Sequence, residues 1–118
     1  MADQHEIEAF LTDFHIKLKI WSVVYRDDRQ KNTKTLLLLE LAPAQRKEIL
    51  EKLTYKDYST GPLKENLNSG ADMWVFGKEI KGREIYIKIT LGIPGASVIC
   101  VSFHVAEHPL KFPFKGQH

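Results

Sequence analysis

Residues 71–104, ADMWVFGKEIKGREIYIKITLGIPGASVICVSFH, read as three consecutive strands joined by two turns, and this stretch decides the fold. In its middle segment Ile85, Ile87, Ile89 and Leu91 alternate with Glu84, Tyr86, Lys88 and Thr90. Period-two alternation marks a half-buried antiparallel strand, with one face in the core and the other carrying a phenol and an ammonium. The third segment sets Ile99, Val101 and Phe103 against Val98, Cys100, Ser102 and His104. Its odd face is the purer apolar one, so the odd residues of both strands are expected to share the core. A slip of one residue would exchange the faces.

Gly92, Pro94 and Gly95 supply breakers for the second turn. Parity then places His104 opposite or diagonal to Tyr86, about 4.5–8 Å away, and gathers Tyr86, Lys88, Ser102 and His104 on one non-core face. The first hairpin admits two turns. A two-residue Lys81-Gly82 turn sets Trp74, Phe76 and Lys78 on the Ile87 face, whereas a three-residue Lys81-Gly82-Arg83 turn sets them on the Tyr86 face. A lysine on a core face is unfavourable, which selects the longer turn, although Trp74 and Phe76 pull the other way.

Working outward, the opening residues place Glu6 three after Asp3, a capping-box spacing, followed by Ile7, Phe10, Leu11 and Phe14 at helical intervals. They predict a short helix over about Gln4 to Thr12. From His15 to Tyr25 the chain alternates as a first strand, long or bent near Trp21. The mixed-charge run from Arg26 to Asn32 reads as a solvated loop. Thr33 to Leu41, with leucines at 36–39 and no aliphatic β-branched residue, favours a helix. Pro43 suits the first turn of another, in which Ile49, Leu50 and Leu53 form an apolar stripe while Arg46, Lys47, Glu48, Glu51 and Lys52 face water. Tyr55 to Gly70 reads as a long connection with turn residues at Gly61, Pro62, Asn66, Asn68 and Ser69. After His104, Pro109 and Pro113 predict a tail laid across the surface by Leu110, Phe112 and Phe114.

The sum is an α+β fold: a largely antiparallel sheet with two or three helices packed on one face. With 118 residues, 43% hydrophobic and 27% charged, one domain is expected. No apolar run approaches a membrane span and the start lacks a signal-peptide layout, so a cytoplasmic location with no membrane partner is expected. The single cysteine, Cys100, excludes an internal disulfide and a zinc knuckle. A net charge of +2 means that any nucleic-acid surface must come from local clustering.

A face bearing tyrosine, lysine, serine and histidine, without a carboxylate pair or a cysteine nucleophile, suits phosphodiester chemistry. Histidine transfers protons near neutral pH and lysine stabilises charge developing on a phosphoryl oxygen. An ordinary solvent-facing sheet surface would contain many of the same residues. His104-Val105-Ala106-Glu107-His108 also matches an H-x-x-E-H zinc-peptidase pattern, which requires a helix to bring its histidines together. A strand leads into His104 and Pro109 follows His108, so no metal or other cofactor is expected.

Trp74, the segment Glu84-Ile85-Tyr86-Ile87-Lys88-Ile89-Thr90, the run Val98 to Phe103 ending in Val-Ser-Phe, and more loosely Asp57-Tyr58 resemble the MqsR-like toxins of bacterial type II toxin–antitoxin pairs. That resemblance implies a RelE-like fold, messenger RNA as substrate, endoribonuclease activity that inhibits translation, and a cognate antitoxin as partner. The family's strand tyrosine falls on Tyr86 and its terminal lysine on His104. Its glutamine falls on Val75 and a further lysine near Ser59, so neither is retained. The expected catalytic residues are His104, Tyr86 and Lys88, and the expected substrate-binding residues are Lys78, Lys64, Arg83 and Trp74. Two other readings stand beside this one: a non-catalytic binding or regulatory protein that keeps the fold, and a zinc-dependent hydrolase using His104 and His108.

Overall fold

Asp3 opens the first helix as its spacing to Glu6 requires. In a computed structural model, which describes residues 1–64 and 70–116, Glu6 N–H donates to Asp3 Oδ1 at 2.8 Å and Asp3 N–H to Glu6 Oε1 at 3.3 Å. This helix, α1 (Gln4–Trp21), does not stop at Thr12. Phe14 and Leu18 prolong the helical stripe begun by Ile7, Phe10 and Leu11, and all five are buried. The expected strand from His15 is therefore corrected: Ile16 and Ile20, which supplied the apparent alternation, lie exposed on the outer side of α1. Only β1 (Val23–Tyr25) survives of that strand.

Helix α2 (Gln30–Leu39) begins inside the charged run, three residues before Thr33, and α3 (Pro43–Glu51) follows with Pro43 in its first turn. A single 3₁₀ turn (Tyr55–Asp57) leads into β2 (Tyr58–Leu63), a strand where a connection was expected. Gly61 and Pro62 obscure it in the sequence. They are tolerated because β2 is an edge strand with a partner on one side only. The turn residues Asn66, Asn68 and Ser69 lie outside the described residues. The sheet is completed by β3 (Met73–Ile80), β4 (Arg83–Thr90) and β5 (Val98–Val105), in the order β1-β5-β4-β3-β2. It is antiparallel except for the β1–β5 pair, which is parallel.

The β3–β4 hairpin takes the shorter turn. Ile80 pairs with Arg83 across Lys81 and Gly82, whose φ values of 51° and 81° are those of the tight turn that matches strand twist. Trp74, Phe76 and Lys78 consequently stand beside Ile89, Ile87 and Ile85 on the core face, correcting the expectation for the longer turn. The aromatic pull outweighed the lysine. Phe10 of α1 stacks on Trp74 at 4.7 Å, and Lys78, at the periphery, reaches Asp57 at 3.3 Å. Side chains from α1 and α3 close over this face, which includes Tyr58, Ile85, Ile87, Ile89 and Phe103.

Strand β5 changes parity part-way. Lys88 pairs with Ser102, but Ile89 pairs with Cys100, so Val101 is an extra residue that forms a bulge. Val98 and Cys100 therefore lie in the core before the bulge, as does Phe103 after it, while Ser102 and His104 pair with Lys88 and Tyr86 on the opposite face. The single odd core face expected for this strand is corrected accordingly.

The outer edge of β5 is paired along its first half by β1 and along its second half by side chains of α2. Arg26 N–H donates to the Cys100 carbonyl at 3.1 Å. Asn32 Nδ2 then donates to the Val101 carbonyl at 3.3 Å, Asn32 Oδ1 accepts from Phe103 N–H at 2.9 Å, and Thr35 Oγ1 accepts from Val105 N–H at 3.0 Å. Asn32 and Thr35 are both buried. A further correction concerns Arg46, which faces inward rather than toward water. Its guanidinium holds Asp27 through two 2.9 Å bonds and lies 3.4 Å over the Tyr25 ring, fastening α3 to the segment between β1 and α2.

An unpaired buried backbone group costs about 1–3 kcal/mol, and removing the Asn32 amide strands one such donor and one acceptor. Asn32→Ala is accordingly expected to destabilise the fold by about 2–4 kcal/mol, seen as a lowered urea midpoint at unchanged slope. A midpoint shift worth less than about 1 kcal/mol would show that the β5 edge does not depend on this side chain.

Candidate active site

The bulge at Val101 creates the site by turning Ser102 and His104 out of the core. Tyr86 and His104 are direct cross-strand partners, and their rings stack with centroids 5.2 Å apart and an interplanar angle of 17°. Lys88 and Ser102 form the next pair, completing the floor of a cleft of about 670 Å³. One wall is the first turn of α2, Arg29 to Asn32, and the other is the tail from Glu107 to Leu110. Lys31 and Glu107 join the walls through a 2.6 Å ion pair.

The tail keeps its place because β3 carries a glycine beneath it. A Cβ on Gly77 would come within 2.6 Å of Leu110 Cδ1 and 2.7 Å of Phe112 Cζ. Leu110 N–H also donates to Glu84 Oε1 at 2.8 Å, and Phe114 packs against the Tyr55 and Tyr58 rings. Its anchoring by Leu110, Phe112 and Phe114 agrees with the sequence reading.

His104 is only 9% exposed. Its Nδ1 lies 2.9 Å from the Val105 carbonyl, which can only accept, so Nδ1 carries the proton and Nε2 makes no hydrogen bond among the described residues. Burial pushes the Tyr86 phenol above its ordinary value, with Arg29 opposing weakly, so Tyr86 is a neutral hydroxyl at physiological pH. Burial, and then the neighbouring Arg29 charge, hold the Lys88 ammonium below the ordinary lysine range. Arg29 donates from Nη1 to Ser102 Oγ at 3.1 Å. Among the described residues neither Arg29 nor Lys88 has a carboxylate partner: Asp28 is held by Arg26 and Glu107 by Lys31.

His104, Tyr86 and Lys88 thus meet as the sequence parity predicted. The four expected substrate-binding residues do not join them. Trp74 and Lys78 are on the core face, Arg83 shares their parity at the exposed hairpin end, and exposed Lys64 follows β2, at the opposite edge of the sheet from β1 and β5. Val75 stands opposite Lys88 but is fully buried, and Ser59 lies on β2. Arg29 was missed, because nothing in the aperiodic charged run distinguishes the residue that turns toward the sheet. The H-x-x-E-H stretch is a strand end followed by a bend, not a helix, and no group of three potential metal ligands occurs among the described residues. No described helix is long and apolar enough to cross a membrane. No family model, curated protein or solved structure matches the chain.

Removing the Arg29 charge takes away one of the two influences that disfavour the Lys88 ammonium. Arg29→Gln is therefore expected to raise the Lys88 titration midpoint, followed by NMR of its ε-methylene group. An unmoved midpoint would separate the two side chains electrostatically.

Proposed function

We propose that this chain is an endoribonuclease that cleaves messenger RNA without requiring a metal, acting as the toxin of a toxin–antitoxin pair. The observation that carries the reading is the stacked Tyr86–His104 pair on the floor of a cleft bearing two cations that lack carboxylate partners among the described residues. RNA supplies its own nucleophile. The 2′-hydroxyl attacks the adjacent phosphorus, its proton passes to a base, the bond to the 5′-oxygen breaks, and an acid protonates that oxygen. The products are a 2′,3′-cyclic phosphate and a 5′-hydroxyl.

His104 serves as one of the two proton-transferring groups, and His108, lining the same cleft, is available as the other. Tyr86 holds the imidazole in plane by stacking and offers a neutral hydroxyl for orientation. Lys88 stabilises the charge that builds on the phosphorane oxygens in a partly desolvated setting, where it acts more strongly than in water. Glu107 is the only carboxylate lining the cleft among the described residues, and its engagement with Lys31 argues against two-carboxylate chemistry. The resemblance to MqsR-like toxins supports messenger RNA as the target and an antitoxin as the partner. The competing reading, a binding protein without catalysis, draws on buried Val75 and on Ser59 standing where that family carries glutamine and lysine.

Incubation with single-stranded RNA in the presence of a chelator is expected to yield 2′,3′-cyclic phosphate ends. His104→Ala should lower the cleavage rate about 10²- to 10⁴-fold in a protein that remains folded. Lys64→Ala, remote from the cleft, should be nearly silent. An undiminished rate in folded His104→Ala would remove this residue from the chemistry, and RNA binding without cleavage by the unaltered chain would leave the binding-protein reading.

A further inference from the structure

We propose that Arg29, Lys88 and the start of α2 form a site for a terminal phosphate monoester, so that the cleft retains a 3′-phosphorylated nucleotide more firmly than the corresponding nucleoside. The inference rests on the nuclease reading only for the source of that ligand, the 3′-phosphorylated nucleotide end left when water attacks the 2′,3′-cyclic phosphate and the bond from phosphorus to the 2′-oxygen breaks; the anion site itself follows from charge and geometry.

Three features converge. Arg29 and Lys88 bring two positive charges to the two sides of Ser102, one through a 3.1 Å bond to its hydroxyl and the other as its cross-strand neighbour. Neither is neutralised by a carboxylate among the described residues. The ten-residue helix α2 begins at the same place, and its cap residue Arg29 makes no side-chain bond to the free backbone N–H groups of the first turn, which contains no acidic residue. Helix starts in this condition favour an anion through oriented N–H groups and the helix dipole. Independently, His104, which lines the cleft, is nine-tenths buried with Nδ1 satisfied internally, and its Nε2 makes no hydrogen bond among the described residues.

The charge on the ligand follows from this inventory. A phosphodiester carries one negative charge, whereas a phosphate monoester carries about −1.5 to −2 near neutral pH and offers three acceptor oxygens. Two uncompensated cations and a helix start match the monoester. Arginine can meet two of its oxygens side by side, while lysine acts as a point charge. The cleft volume of about 670 Å³ lies within the range of small-molecule sites and leaves room beside the phosphate for a sugar and base. Lys31 and Glu107 close one margin, and their mutual pairing partly offsets the charge of the one carboxylate that lines the cleft among the described residues.

The test titrates the chain separately with a 3′-phosphorylated mononucleotide, its nucleoside and inorganic phosphate, following backbone amide shifts by NMR. The nucleotide and inorganic phosphate are expected to move the amides of residues 30–32 and 102–104, the nucleoside at least tenfold more weakly. Binding by the nucleotide well beyond inorganic phosphate would identify a nucleotide end as the source, and equal binding a free phosphate. Arg29→Gln and, separately, Lys88→Gln should each weaken nucleotide binding about tenfold or more while thermal unfolding stays cooperative; Arg29→Lys should fall between. Equal affinity for nucleoside and nucleotide, shifts confined to surface lysines away from the cleft, or unchanged binding in both glutamine variants would overturn the proposal. RNA cleavage without phosphate binding would overturn this inference alone, and phosphate binding without RNA cleavage would overturn the nuclease reading alone.

Discussion

The amide of Asn32 holds the rest of the site in place. It donates to one backbone carbonyl at the bulge of β5 and accepts from an N–H beyond it, performing for two residues the work of a neighbouring strand. The bulge reverses which side chains meet the core. Without it, the parity that puts Val98 and Cys100 on the core face would put Ser102 and His104 there as well. A bulge costs regular ladder bonds, and an edge strand exposes the backbone groups so released. Asn32, followed by Thr35, satisfies them from a helix. One local arrangement therefore stabilises the sheet edge, aims the histidine and brings the start of α2, with Arg29, to the cleft.

The charges divide into two populations with different physical roles. Arg46 and Asp27 are paired and hydrogen-bonded against the Tyr25 ring; breaking such a partly buried pair is costly because one charge would be left without compensation. They brace the fold. Arg29 and Lys88 lie on the other side of the sheet, beside each other and without carboxylate partners among the described residues; burial first and the Arg29 charge second lower the basicity of Lys88. Two like charges held together, one on the sheet and one at the start of α2, would be stabilised by an anion, and this is the premise of the phosphate site proposed above.

The tail contributes a wall by a simple packing relation. Gly77, opposite Tyr86 in the ladder, has no side chain, and Leu110 and Phe112 occupy the space above it. The cleft floor is thereby bounded on one side by chain that follows β5 directly. On the other side stands α2, whose position is set by its hydrogen bonds to β5. Both walls are thus referred to the same strand that carries His104.

Much of this was legible in the residues. Asp3 and Glu6 announced the first helix, the isoleucines of β4 marked its buried face, Pro43 opened α3, and the relation of Tyr86 to His104 followed from alternation. These are short-range consequences of backbone geometry and amphipathic spacing. The errors have equally physical causes. Ile16 and Ile20 alternate like a strand, but helical burial of Phe14 and Leu18 won; Lys78 argued for a longer hairpin turn, but burial of Trp74 and Phe76 won. Arg29, Asn32 and Arg46 look like surface polar residues, because local sequence carries no information about which distant backbone group or ring will meet them. The sequence by itself determined the start of the first helix, the two helices that follow β1, the three strands from β3 to β5, the half-buried β4 and the chemistry available on its polar face. Only the tertiary structure decided the bulge, the inward turn of Arg46 and the meeting of Arg29 with Lys88, since each depends on hydrogen bonds or charges between residues far apart in the chain.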